Sequence, residues 1–278
     1  MRSRRWPIGL AIAGIALGCE AYRDEGGQAP DGEAFAVAVA GGPFFAGCNE
    51  AIDDACFPDE KPGGMREVEA FAIDRTEVTV AAYRACVDAG ACSPPDAGED
   101  CNDLRPERDR HPVNCVDQGQ AATYCAWRGG RLPSEWEWER AARGTQGRLH
   151  PWGDAPADCD RAVIDAGTGQ TCGEAEGTLE VGRRPAGASP EGALDLIGNV
   201  WEWTSSSPEN SSARVVRGGA YYVGPAQARA SARLLFKPWG RGPYVGFRCA
   251  RSAEEKAVGA GGEAGASANA QADPDPGA

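Results

Sequence analysis

Two carboxylates on either side of a tight turn are the residues of this 278-residue chain best suited to chemistry. Asp195 and Glu202 flank the pair Gly198-Asn199, in a segment that also contains two tryptophans. Carboxylates are hard oxygen ligands of the kind that calcium prefers, and a Gly-Asn turn can point backbone carbonyl groups toward the same ion. The segment therefore predicts a calcium site. The alternative is that the tryptophans are core residues and the two acids are solvated.

Three further sets of motifs follow one another along the chain and point to a family. They are Phe71-Ala-Ile-Asp-Arg-Thr-Glu-Val-Thr79, then the run from Gly130 to Gly144 with Pro151-Trp-Gly153, and then Val216-Arg-Gly-Gly219 with Gly246-Phe-Arg248. Together with the turn, they resemble the sulfatase-modifying-factor family, whose best-known member is the formylglycine-generating enzyme. The resemblance extends from about Ala38 to Arg251. It implies an α+β, C-type-lectin-like fold in a single, loop-rich domain.

The resemblance also implies a full ligand set for the calcium ion. In the family, one calcium is held by an acid or amide before the turn, by two backbone carbonyl groups within it, and by the glutamate of Trp-Glu-Trp. The matching positions are Asp195, Gly198, Val200 and Glu202. Calcium is therefore the expected cofactor.

The redox chemistry of the family is not supported by this sequence. The formylglycine-generating enzyme oxidises a cysteine with copper held by two cysteines that follow the Arg-Gly-Gly run, because thiolates are soft ligands that select Cu(I). The corresponding residues are Val223 and Ala228, and no cysteine lies between Cys172 and Cys249. A second branch uses iron held by three histidines, but this chain has only His111 and His150. Copper and iron are not expected.

These observations favour a binding module that retains the fold and one calcium ion without catalysis. Its expected ligand is a protein, a peptide or an envelope polymer, by analogy with the family cleft and with lectin-like folds. Tyr221, Tyr222 and Trp239 are candidates to line the cleft, although they could equally be core residues. The alternative is an oxidoreductase of the same superfamily with an unrecognised site, acting on a protein or small molecule. A structural envelope protein is the third possibility.

The amino terminus predicts export. Three arginines precede an apolar run from Ile8 to Leu17, a pattern typical of a signal sequence, and the run is too short for a permanent membrane span. The following Gly18-Cys19 completes a sequence that resembles the lipobox of bacterial lipoproteins. We therefore expect residues 1–18 to be removed and Cys19 to carry lipid, so that the protein is anchored to a membrane of the bacterial cell envelope, on its periplasmic or cell-surface side. A plain secretory signal cut nearby is the alternative.

The remaining chain divides into three parts. Residues 19–36 are rich in Gly, Glu, Asp and Ala and predict a flexible tether, whereas residues 37–251 form the expected domain. Residues 252–278 contain no aromatic residue and predict a disordered tail, because such a composition cannot bury enough surface to fold. The formal net charge of −13 repels phosphate backbones, so nucleic acid is not an expected partner.

Ten of the eleven cysteines remain once Cys19 is set aside, which allows five disulfides in an oxidising compartment. Four short-loop pairs are predicted: Cys48 with Cys56, Cys86 with Cys92, Cys101 with Cys115, and Cys159 with Cys172. The fifth pair, Cys125 with Cys249, matches a disulfide of the formylglycine-generating enzyme. A zinc site is the alternative, but the chain has no Cys-x-x-Cys pair and only two histidines.

Capping signals predict three helices that would hold these motifs in place. The helices are expected to follow Thr79, Asp117 and Ser134 and to stop at Gly90, Gly129 and Gly144. Strands are expected at Ala36 to Ala40, Val68 to Ile73, Arg214 to Arg217 and Tyr244 to Arg248. The other segments are rich in glycine and proline and predict long loops.

Overall fold

The computed structural model of the protein describes residues 36–167, 169–172 and 177–253. The predicted signal peptide, the lipidation site Cys19, most of the tether and most of the tail lie outside these residues. The described chain forms one α+β domain with three α-helices and nine short strands, joined by long loops. None of the described helices is long and apolar enough to cross a membrane.

The three helices confirm the predicted capping signals. They are α1 (Val80–Asp88), α2 (Gln118–Trp127) and α3 (Glu135–Arg143). The Thr79 side chain accepts a hydrogen bond from the Ala82 amide at the start of α1. Helices α2 and α3 each begin with a complete capping box, in which side chain and backbone satisfy two otherwise unpaired N–H groups. The glycines that follow the three helices all have a positive φ, which ends a helix without steric cost.

The strands form three small sheets. Strands β1 (Ala36–Val39), β4 (Phe71–Asp74) and β9 (Ala250–Ser252) make an antiparallel sheet in the order β1-β4-β9. Strands β2 (Gly42–Ala46) and β3 (Gly64–Val68) pair with each other. Strands β5 (Trp201–Trp203), β6 (Arg214–Arg217), β7 (Arg233–Phe236) and β8 (Val245–Gly246) follow the order β7-β6-β5-β8, with β5 and β8 parallel.

The predicted strands match these sheets only in part. The strand Arg214–Arg217 is confirmed, and β1 begins at Ala36 as expected. The single strand predicted from Val68 to Ile73 is wrong, because β3 ends at Val68 and β4 begins at Phe71 in a different sheet. The strand predicted from Tyr244 to Arg248 is reduced to Val245–Gly246. Ala36 and Ser252, each one residue outside the predicted domain of residues 37–251, both pair with β4.

All five predicted disulfides are present, and they join distant parts of the domain as well as single loops. The Cys125–Cys249 bond closes a separation of 124 residues and ties helix α2 to the segment before β9. Around it lies an aromatic core in which the rings of Tyr83, Tyr124 and Phe247 contact one another. This covalent and aromatic frame carries the turn before β5, where the predicted calcium ligands lie.

Candidate functional site

The turn between Asp195 and β5 has a tightly constrained backbone. Asp195, Gly198 and Asn199 all have positive φ angles, of 58°, 84° and 60°. A Cβ atom at Gly198 would lie 2.3 Å from the carbonyl oxygen of Val163, so only glycine fits there. The backbone N–H of Asn199 in turn donates a hydrogen bond to that same carbonyl, at 2.8 Å. The turn is therefore held against a neighbouring loop and points its side chains inward.

Four charged side chains meet below this turn, and we call them the acidic centre: Glu77, Asp195, Glu202 and Arg248. The guanidinium group of Arg248 binds Glu202 with two hydrogen bonds of 2.7 Å. Glu202 also accepts a 2.8 Å hydrogen bond from the indole of Trp138. Asp195 and Glu202 are 7% and 0% exposed. The alternative in which these acids are solvated is therefore wrong.

Glu77 is the least satisfied member of the acidic centre. Its Oε1 atom accepts a hydrogen bond from the side-chain amide of Asn199 at 3.0 Å, whereas no N–H or O–H donor reaches its buried Oε2 atom. The carboxyl groups of Glu77 and Asp195 lie close enough to share a proton. Burial raises the pKa of Glu77 well above its usual range, and the nearby charge of Asp195 raises it further. Burial also raises the pKa of Asp195, although that carboxylate accepts a 2.5 Å hydrogen bond from the Gly182 amide. Two carboxylates thus compete for compensation in one buried site.

A divalent cation fits the charge of this centre. When all three carboxylates are ionised, they and the guanidinium carry a net charge of −2, and burying this charge is costly unless a proton or a metal ion compensates it. In the described chain the oxygens of the three acids do not all lie within 4.8 Å of one another. An ion here would therefore need backbone carbonyl groups as well, as predicted for Gly198 and Val200. The calcium site itself stays a prediction.

Sequence reasoning missed Glu77 and Arg248. Both lie in motifs that carry the family resemblance, which was the only available signal, because they are 122 and 46 residues from their partners Asn199 and Glu202. Arg248 already occupies part of the Glu202 carboxylate that sequence reasoning assigned to calcium. Glu77 is the side chain that could supply an additional free oxygen.

The positions that correspond to the copper-binding cysteines lie in the core. A Cβ atom at Gly219 would lie 2.9 Å from Cγ2 of Val223 and 3.9 Å from Cα of Ala228, so the two positions converge at one place. Their exposed fractions are 3% and 0%. Apolar side chains therefore fill the volume where two thiolates would be required.

The histidines have structural surroundings. His111 makes a 2.9 Å hydrogen bond with the Thr178 hydroxyl. His150 is buried and stacks on Trp152, and burial lowers its pKa to about 4. Within the described residues, three potential metal ligands come close together only at Cys48, Asp53 and Cys56. Those cysteines form a disulfide and cannot act as thiolates.

Of the predicted cleft residues, Tyr221 and Tyr222 directly precede Val223 along the chain, whereas Trp239 lies in a different loop. Tyr221 is half-buried, Tyr222 is 46% exposed, and their rings are in edge contact with a centroid distance of 5.7 Å. Tyr222 continues this contact to Tyr244 at 5.3 Å. Trp239 is 64% exposed in the loop between β7 and β8. Tyr222 and Trp239 are therefore not core residues, which was the alternative for this group.

A pocket of about 230 Å³ opens beside Tyr221. Its other walls include Asp100, Arg105, Arg108, Asn114 and Thr178. Most of these side chains are charged or polar, unlike the apolar surroundings of Val223 two residues beyond Tyr221. The pocket is therefore distinct from the filled thiolate site, although it lies next to it along the chain.

Comparison with known proteins identifies relatives of the whole domain. A family model of the sulfatase-modifying factor enzyme 1-like domain matches residues 25–253. Hercynine oxygenase of Mycolicibacterium smegmatis is 30% identical over 266 residues, which cover 77% of this chain and 60% of that protein. Inactive C-alpha-formylglycine-generating enzyme 2 of Mus musculus is 40% identical over 154 residues, which cover 51% of this chain and 49% of that protein. The chain thus spans less than two thirds of these relatives.

A solved structure supports the fold. PvdO from Pseudomonas aeruginosa superimposes with a TM-score of 0.66 at 24% sequence identity. The match covers 78% of this chain and 94% of that one. The expected formylglycine-generating-enzyme-like fold is thereby confirmed.

Proposed function

The chain belongs to the sulfatase-modifying-factor family, and from that premise we propose that it is a member that binds a ligand and does not oxidise one. The observation that carries this proposal is the apolar packing of Val223 and Ala228 around Gly219. Copper in the formylglycine-generating enzyme needs two thiolates, and aliphatic side chains offer no metal ligand. The described domain has no cysteine to replace them, because all ten form disulfides.

The rival function is an oxidoreductase, and the relatives named hercynine oxygenase are its best support. An iron site with three histidines would need one more imidazole than this chain contains. His150 is also buried against Trp152, so it would have to be released before it could bind a metal. One relative is itself named an inactive formylglycine-generating enzyme, and that name is consistent with a family member that does not catalyse the reaction. These observations favour binding over oxidation.

Calcium is part of the same proposal. Asp195 and Glu202, the carbonyl groups of Gly198 and Val200, and Glu77 as an additional ligand would hold the ion. When bound, it would supply positive charge that compensates the buried carboxylates. Its role would be to stabilise the turn before β5, not to carry out a reaction.

The proposed setting is the bacterial cell envelope, with lipid on Cys19 and the domain held away from the membrane by the tether. The ligand would be a protein, a peptide or an envelope polymer that lies along the surface near Tyr221 and Tyr222. The exposed ring of Tyr222 supports this position, because an accessible aromatic side chain offers apolar contact area at low cost in side-chain entropy.

The test measures metal content and product together. The purified full chain is supplied with copper, oxygen and a peptide bearing the sulfatase signature, and aldehyde formation is followed by mass spectrometry. We expect no aldehyde above a control with copper alone, and no stoichiometric copper or iron in the purified protein. Turnover, or one bound copper or iron per chain, would overturn the proposal in favour of the oxidoreductase. An active formylglycine-generating enzyme assayed in parallel shows that the peptide and the conditions are competent.

A further inference from the structure

The pocket beside Tyr221 contains two arginines whose positions are fixed by other parts of the protein. Arg108 donates a 2.7 Å hydrogen bond to the side-chain oxygen of Asn102. Asn102 is itself fully buried and donates to the Pro112 carbonyl at 2.8 Å. Arg105 donates a 2.6 Å hydrogen bond to the Glu99 carbonyl. Each guanidinium group is therefore held by one N–H group, which leaves the other donors of its planar fork available.

These two arginines have no carboxylate partner within the described parts of the chain. None of the ion pairs found there, to a limit of 4.0 Å, includes Arg105 or Arg108. Burial lowers the pKa of Arg108, and the neighbouring charge of Arg105 lowers it further. The acids Asp100 and Glu107 lie near enough to shift the pKa of Arg108 in the opposite direction, but neither forms an ion pair with it. The two half-buried guanidinium groups therefore lie beside acidic groups without a direct carboxylate contact, in a chain whose net charge is −13.

Apart from the carboxylate of Asp100, which is an acceptor at the border of the pocket, the remaining polar side chains are already used by the protein. The amide nitrogen of Asn114 donates to the carbonyl groups of Asp100 and Pro243, at 3.2 and 2.6 Å. The Thr178 hydroxyl is engaged by His111 and Asn102. The available groups are therefore mainly N–H donors of the two guanidinium groups, which suit an anion.

We propose that this pocket binds a carboxylate group of the ligand through Arg105 and Arg108. The inference deepens the proposed function and rests on it, since it assigns a chemistry to one end of the bound ligand. A carboxylate matches the planar fork of arginine in two parallel hydrogen bonds. A polyanion is disfavoured because the protein as a whole is acidic and Asp100 borders the pocket.

The surroundings also indicate how the ligand continues. Tyr221 forms one wall of the pocket, and its ring contacts Tyr222, which contacts Tyr244. A ligand whose carboxylate binds the arginines could therefore extend along Tyr221 onto the exposed ring of Tyr222. A peptide fits this arrangement, and its carboxylate could come from its carboxyl terminus or from an acidic side chain.

The test uses short peptides as probes on the isotopically labelled full chain. The probes are N-acetyl-trialanine with a free carboxyl terminus, the same peptide as its carboxamide, an acetylated and amidated peptide with one internal glutamate, and inorganic phosphate. Binding is followed by NMR through the backbone amides of Gly177, Thr178 and Tyr221. We expect shifts with a carboxylate-bearing peptide and none with the carboxamide. The first and third probes distinguish a terminal carboxylate from a side-chain carboxylate.

Variants locate the binding group. Arg105→Gln and Arg108→Gln should each weaken binding of the carboxylate probe about tenfold or more, because each removes charge-assisted hydrogen bonds. Arg108→Lys should also weaken it, since lysine keeps the charge but loses the fork. The control is Arg110→Gln, which removes the same charge from an exposed side chain outside the pocket and should leave affinity unchanged. The melting temperature and NMR spectrum of each variant show whether it folds. If Arg108→Gln does not fold, Arg105→Gln alone tests the proposal.

The proposal is wrong if no carboxylate probe shifts these amides, if the carboxamide binds equally well, or if phosphate binds more tightly than every carboxylate. It is also wrong if Arg110→Gln weakens binding as much as the pocket variants. Failure here is separable from failure of the proposed function. Aldehyde formation or a bound redox metal would overturn non-catalytic binding while leaving the carboxylate site in place.

Discussion

Removal of calcium followed by a pH titration tests the acidic centre most directly. Glu77 and Asp195 have pKa values raised by burial, and in the case of Glu77 also by the neighbouring carboxylate. A carboxyl group whose folded pKa lies above its unfolded pKa binds more protons in the folded state, so its ionisation destabilises the fold. Metal-free protein should therefore gain stability as the pH falls from neutral toward the ordinary carboxyl range near 4.

Calcium should reverse this dependence. An ion that binds only the folded state compensates the two carboxylates, so the stabilisation should be largest at neutral pH and should decline as protons compete for the same oxygens. At one hundred times its dissociation constant, calcium would add about 2.7 kcal/mol to the free energy of unfolding. For a domain of this size, that corresponds to an increase of about 5 to 11 °C in melting temperature.

The variant Glu77→Gln separates this explanation from a general effect of charge. In metal-free protein at neutral pH it should raise the melting temperature, because it removes a buried ionisable group. The glutamine Oε1 atom can still accept the hydrogen bond from the side-chain amide of Asn199. In calcium it should reduce the gain. Glu202→Gln is a poorer probe, because it would also disturb the bidentate pair with Arg248.

The assay is thermal unfolding followed by circular dichroism, with chelator or with excess calcium, from pH 7.5 down to about pH 5. The exposed acid Glu67 provides the matched control, since Glu67→Gln should respond to neither calcium nor pH in this way. If chelated and calcium-loaded protein melt at the same temperature throughout, the centre does not bind calcium. If Glu77→Gln also leaves the metal-free curve unchanged, the argument from buried charge is refuted as well.

Two further predictions concern covalent links. Replacing both Cys125 and Cys249 by alanine should cost about 5 kcal/mol of unfolding free energy in the chain-entropy model, whereas replacing Cys86 and Cys92 should cost about half as much. Denaturant titration compares the two variants, and equal losses would contradict the loop-length argument. Replacing Cys19 by serine should move the protein from the membrane to the soluble fraction of the cells that produce it, because the anchoring acyl chains are lost. Unchanged fractionation by immunoblot would exclude the lipid anchor.

The helices could be predicted because their signals are local. The Asp117 side chain and Gln120 are three residues apart, and the capping box they form needs no distant partner. The sheets could not be read in the same way. Strand β2 contains Gly42 and Pro43 and pairs with residues 18 to 26 positions away. The residues from Val68 to Ile73 were predicted as one strand, although the chain passes between two sheets at Glu69-Ala70.

The acidic centre shows a similar division between local and distant information. The turn residues Asp195, Gly198 and Glu202 could be chosen from a single segment, because their residue types and spacing are sufficient to suggest calcium. The compensating cation Arg248 and the additional carboxylate Glu77 could not, since both approach only after the sheets and helix α1 are assembled. A sequence pattern can propose ligands, but the balance of charge in a buried site depends on the complete fold.

This balance explains how the fold can hold apolar side chains at the positions of Val223 and Ala228 and keep the acidic centre. Arg248 donates to Glu202 and also to the carbonyl groups of Asp74, Arg75 and Leu194, so it connects several segments of the domain. Removing it would leave the buried Glu202 carboxylate without its counter-charge and would remove a donor from each of the three carbonyl groups, which is costly. Val223 and Ala228 only have to fill volume around Gly219, and apolar side chains do so without unpaired polar groups. Apolar side chains at these two positions therefore cost the domain little stability, whereas the buried charges of the acidic centre contribute to holding its segments together.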